Sequence, residues 1–136
     1  MKTVEKTVKG KEFESLKEKL RKAVELEGFS ILSEYDFKRI LTSKGKKCDS
    51  NVYVVDICNP SNAEKILSLD SSVGIHLPCK MGIFEEDDAY KVIYVEPTSF
   101  IEKSSPEMLR ILKDVGDALK RISTSLIRSQ ERGEGT

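Results

Sequence analysis

The sequence is poor in the residues that usually announce chemistry, and each shortage closes a class of function. His76 is the single histidine, so no serine–histidine–carboxylate triad can be placed around a well-positioned imidazole. Three cysteines, Cys48, Cys58 and Cys79, are too few and too irregularly spaced for a disulfide framework or a CxxC zinc site, which points to a reducing compartment. Apolar runs never exceed a handful of residues, and Met1–Lys6 carries no hydrophobic leader core. The expectation is therefore a soluble, cytoplasmic protein without a membrane span. Net charge is also lacking: 23 basic and 23 acidic side chains cancel, so no global field favours nucleic acid or an anionic membrane. Gly45-Lys46 lacks the other glycine and the hydroxyl residue of a phosphate loop. Glu85-Glu86-Asp87-Asp88 lacks the alternating ligands and glycine of a calcium loop and reads as a solvated hairpin turn.

What is present fits one domain over residues 1–130, followed by a disordered tail at 131–136. Charge is unevenly spread. Residues 1–47 hold 13 basic and 8 acidic side chains, and residues 48–98 hold 3 and 9. An acidic centre beside a basic first third disfavours phosphate backbones at the centre and allows charge matching between copies.

Periodicity supplies the elements. Thr3–Val8 alternates like a lysine-bearing edge strand, and Phe13, Leu16, Leu20, Ala23 and Val24 recur at helical spacing up to Gly28. Residues 29–35 alternate again, with Phe29, Ile31, Ser33 and Tyr35 expected on one face. Asp36 is placed to cap a short helix over 37–43. Val52–Cys58 is β-branched or aromatic on both alternation faces and reads as a strand covered on both sides. Asn59 and Pro60 then open a helix expected to turn Ala63, Ile66 and Leu67 inward. A loop through Asp70–Gly74 leads to strands over 79–85 and 90–95, and Ser105-Pro106 opens a long last helix.

This order gives an α+β fold: a two-layer sandwich with one mainly antiparallel sheet of about five strands and two long helices on one face. Two helices cover one sheet face only, so Tyr94 or its opposite neighbours are expected to lack cover in a monomer, and a homodimer would supply it.

Asn59-Pro60, a short helix, Gly74-x-x-Leu77-Pro78, a strand, an acidic turn, a second strand and Pro97 together resemble the domain of unknown function 302 family over Val4–Phe100. The resemblance implies a compact α+β domain with a TATA-binding-protein-like half-fold, commonly dimeric, and brings no established activity. Many relatives carry an apolar residue at the position of Cys79, and a glycine in the turn where this chain has Asp88-Ala89.

The candidate ligand-binding residues are Asp56, Cys58, Asn59, His76 and Cys79. Cys58 precedes a helix amino terminus, where dipole and free N–H groups favour a thiolate; Asp56 opposes that effect, and a strand-end cysteine equally serves as a small buried hydrophobe. Cys58, His76 and Cys79 are sufficient in number for a three-ligand zinc or copper site. Everything depends on whether strands 52–58 and 79–85 run antiparallel, which puts both thiols at one end of the sheet. Three readings follow: a homodimeric module binding a small ligand, metal or sulfur species; a thiol-dependent enzyme or redox protein using Cys58 and Cys79; and an interaction domain whose cysteines pack. No reaction or cofactor is assigned, and no nucleic-acid or membrane partner is expected.

Overall fold

The structure, a computed structural model, describes the backbone of residues 1–101 and 105–135, with side chains through residue 127. The tail expected from residue 131 lies outside the described side chains. Five strands, β1 (Thr3–Lys9), β2 (Ser30–Asp36), β3 (Val52–Cys58), β4 (Cys79–Glu86) and β5 (Ala89–Val95), form one sheet in the order β1-β5-β4-β3-β2, with every neighbouring pair antiparallel. The apolar strands β3, β4 and β5 take the centre. β1, with its lysines and Glu5, and β2, with Glu34 and Asp36, take the edges, where charge discourages further strand addition.

The helices are α1 (Phe13–Leu26), α2 (Phe37–Ser43), α3 (Pro60–Leu69) and α4 (Pro106–Gly135). Gly28 ends α1 at φ +80, a conformation that costs glycine little. Its N–H donates to Glu25 and that of Phe29 to Val24, the paired bonds of a Schellman stop that turns Phe29 back under the helix. Asp36, Asn59 and Ser105 accept from the backbone N–H groups of Arg39, Asn62 and Met108, so all three expected caps are formed.

α1 and α4 lie on one face of the sheet and meet its inward residues, Val8, Tyr53, Val55, Met81, Ile83 and Val92 among them, in the main core. Three details depart from the sequence reading. β2 carries an irregularity between Ile31 and Ser33; the extra residue, Leu32, flips the later alternation, so Ser33 and Tyr35 pair with Asp56 and Val54 on the open face instead of following Ile31 inward. Leu67 does not turn inward but stays 42% exposed and packs toward Gly74. The loop after α3 is wound into a 3-10 helix over Ser71–His76, started by Asp70, which accepts from the Ser72 N–H at 3.0 Å.

Tyr94 is only 3% exposed, because it faces α4. Its neighbours Ile93 and Val95 point the other way, onto an open sheet face shared with Val54 and Phe84. At its centre the Phe84 ring lies over Gly82, where a Cβ would stand 2.7 Å from the ring.

Candidate functional site

β3 and β4 are antiparallel, and their register sets Ile57 opposite Cys79. The end of β3 and the start of β4 are therefore the same end of the sheet, and both thiols are there. The chain between them forms a roof: α3 leaves directly from Asn59, folds back, and returns through the 3-10 helix Ser71–His76 and the cis Leu77–Pro78 bond to Cys79. A second, smaller core holds this roof down. Ile66 of α3 and Val73 of the 3-10 helix pack against Met108, Ile111 and Leu112 of α4.

Between the two cores lies a cavity of about 20 Å³. Its floor is Phe29, Ile57 and Cys79; its roof is Ala63, Ile66 and Val73; α4 closes one side with Leu112 and Val115. The polar part of its lining is Cys58, Asn59, Asn62 and His76. Four of the five residues picked out in the sequence thus meet in one apolar enclosure. Asp56 does not join them. It sits on the open sheet face, 6% exposed, accepting from the Tyr35 hydroxyl at 3.1 Å and from the Lys80 ammonium. Alternation accounts for the difference: Ile57 and Cys79 share the covered face, Asp56 the other, and Cys58 reaches the cavity because the chain is already turning into α3.

The environment holds the thiols protonated. Burial pushes the Cys58 thiol up. Burial, with a smaller contribution from Cys58, pushes Cys79 up to about 11. Desolvation has outweighed whatever the α3 amino terminus offers a thiolate. His76 is engaged by an aromatic ring: it stacks on Phe100 with centroids 4.9 Å apart and planes 2° from parallel. Among the described residues no group of three His, Cys, Asp or Glu side chains is arranged to hold a metal ion; Cys58, His76 and Cys79 meet as cavity lining.

The cavity also takes residues that motif reading passes over. Phe29 is there because the Schellman stop aims it inward, a signal carried by Gly28. Phe100 ends a second 3-10 helix, Pro97–Phe100, whose start is marked by Pro97. Asn62 lies one turn after its cap, with nothing in its spacing to set it apart.

The sequence matches the family model described as Domain of unknown function DUF302 over residues 4–126, a span that contains every cavity residue. A crystal structure of an uncharacterized conserved protein DUF302 from Bacillus stearothermophilus has the same fold, with a TM-score of 0.81 at 24% sequence identity, covering 90% of this chain and 95% of that one. Among curated proteins nothing matches. An α+β chain with one five-stranded antiparallel sheet, a match over nearly its whole length and a solved relative of the same fold together make the assignment plain: the chain belongs to the DUF302 family.

Proposed function

We propose that this protein is a homodimeric binding module whose thiol-lined cavity takes a small, uncharged ligand. The observation that carries the reading is the convergence of Cys58, Asn59, His76 and Cys79 on one apolar cavity between two cores. An apolar pocket with a few convergent polar groups is the usual form of a small-molecule site, and at about 20 Å³ this one takes such a ligand only by opening. Protonated thiols suit a neutral ligand, with S–H groups as weak donors and sulfur as a polarisable contact. They speak against the thiol-enzyme alternative, which needs a thiolate at neutral pH. A soft metal ion remains a candidate ligand on chemistry alone, since zinc or copper(I) displaces thiol protons on binding.

The dimer reading rests on the open sheet face. Val54, Phe84, Ile93 and Val95 form an apolar strip on it, and its charges are paired within the chain: Lys80 with Asp56, Lys91 with Glu5 and Glu86. A second copy laid on this strip meets apolar surface inside a rim without unbalanced charge.

A thermal-shift screen of uncharged molecules, with zinc and copper(I) as separate arms, tests the binding claim. A ligand present at a hundred times its Kd adds about 2.7 kcal/mol, which moves Tm by roughly 5–10 °C in a domain of this size. The expected hit loses its shift when Ala63→Val, which adds only methyl bulk, narrows the cavity. Shifts that persist in that variant, or none across the screen, contradict the reading.

A further inference from the structure

The thiol-lined cavity shares a wall with a groove on the surface. The groove, about 280 Å³, is lined by Met1, Ile75, Pro78, Lys80 and Val95. His76, Leu77 and Phe100 line both the groove and the cavity. The cavity itself, at about 20 Å³, has room for about one water-sized sphere. Cys58 is half-buried, but Cys79 is only 6% exposed, so an organic molecule reaches Cys79 only if a wall moves.

How each wall is held decides which one moves. Ile57 and Cys79 are fixed by the central ladder of the sheet. Leu112 and Val115 are buried positions of α4, tied into the satellite and main cores respectively. His76 and Phe100 instead end two short 3-10 helices, Ser71–His76 and Pro97–Phe100, are both half-buried, and face each other as parallel rings 4.9 Å apart. A ring stack of this kind contributes on the order of 0.5–1.5 kcal/mol beyond burial, so thermal opening is accessible.

We infer that the His76–Phe100 stack is the door of the cavity: parting the rings joins groove and cavity into one site and admits a small, uncharged molecule to the buried Cys79 thiol. The class of ligand follows from the lining. No aspartate, glutamate, lysine or arginine lines the cavity among the described residues, and Lys80 of the groove is paired with Asp56, so a charged molecule inside the cavity would be desolvated without a partner. This inference deepens the binding-module reading, but its test needs no natural ligand.

In a Cys48→Ser, Cys58→Ser background Cys79 is the sole thiol, and its reaction with uncharged 4,4′-dithiodipyridine reports access. The Cys79 sulfur attacks one disulfide sulfur, a mixed disulfide forms, and one 4-thiopyridone leaves with the thiol proton. Phe100→Ala is expected to raise the rate about tenfold, the upper end of what a lost ring stack supplies. Phe100→Leu, which keeps apolar bulk without the ring, should also accelerate the reaction if the alanine variant fails to fold. Leu112→Ala, which loosens the cavity from the α4 side away from the groove, should change the rate by no more than about twofold once global opening is subtracted by amide exchange. Unchanged rates in the Phe100 variants, or an equal acceleration in Leu112→Ala, overturn the door. So does a Cys79 in the background protein that reacts as fast as in the urea-unfolded chain. A door that stands while the ligand screen stays empty leaves the access route intact and removes the binding function alone.

Discussion

Cys79 is the residue whose environment makes the sharpest demand. Its thiol ionises at about 9.0 in the open chain and about 11 in the fold, because burial penalises the thiolate. An acid whose folded pKa is raised binds its proton more tightly when folded, so its contribution to stability is present below pH 9 and lost as pH rises from 9 to 11. A shift of this size corresponds to about 2–3 kcal/mol. Cys79→Val is expected to flatten the fall in unfolding free energy over that window relative to the parent, as read from urea titrations at each pH; parallel curves for parent and variant would contradict it. Cys58, raised by the same cause, should be alkylated more slowly at neutral pH than Cys48, which lies half-buried in the segment between α2 and β3. A faster Cys58 would restore the thiol-enzyme reading. Beside α1, Glu34 is held below the usual carboxylate range by the Tyr53 hydroxyl first and Arg21 second. Stability from this group is present at neutral pH and lost as pH falls through its lowered pKa.

At the scale of elements, the roof is the part of the fold with least behind it. α3 and the 3-10 helix Ser71–His76 lie outside the sheet and are anchored by Ile66 and Val73 against α4. The Asn59 side chain accepts from Asn62 N–H at 3.1 Å and starts α3. Asn59→Ala is expected to cost about 1 kcal/mol, and amide exchange should speed up in α3 and residues 71–76 ahead of β4 and β5. Uniform acceleration over the sheet would show that the roof is not a separate opening unit. These elements also show what the sequence made legible and what it concealed. Asp36, Asn59, Gly28 and Ser105-Pro106 carry their own local geometry, so helix starts and stops could be read one residue at a time. The Val52–Cys58 strand could be read because β-branching and length agree. Leu32 could not be read as the extra residue of a bulge, because nothing in Ser30–Asp36 distinguishes a bulged strand from a regular one until a partner fixes register. Leu67 looked inward by helical spacing, yet α3 is covered on one narrow side only. The sequence does not fix whether Cys58 lies near Cys79, since a roof of about 20 residues permits either strand direction. Alternation puts Asp56 on the same strand face as Cys58, yet the chain turns into α3 at Cys58 and leaves Asp56 on the open face.

For the whole molecule, two helices on one face of a sheet leave the other face to be explained. The long α4 and α1 bury the inward residues of β1, β3, β4 and β5, while Ile93, Val95, Val54 and Phe84 remain on the outside. Sedimentation equilibrium is expected to give twice the 15.3 kDa of one chain, with Ile93→Glu returning it to the monomer while far-UV circular dichroism is unchanged. A parent that is monomeric at micromolar concentration would remove the dimer without touching the cavity. Among the described residues no helix is long and apolar enough to cross a membrane.

The central claim, that the enclosure between the two cores is a ligand site, is tested most directly by methyl-resolved NMR. Isotope-labelled protein is titrated with the uncharged compounds that raise Tm. The account predicts shifts at the methyls of Ile57, Ile66, Val73, Leu77, Leu112 and Val115, which line the cavity, with Val8 and Val92, which do not, unmoved. Binding that shifts Val8 and Val92 while leaving the cavity methyls in place would contradict it.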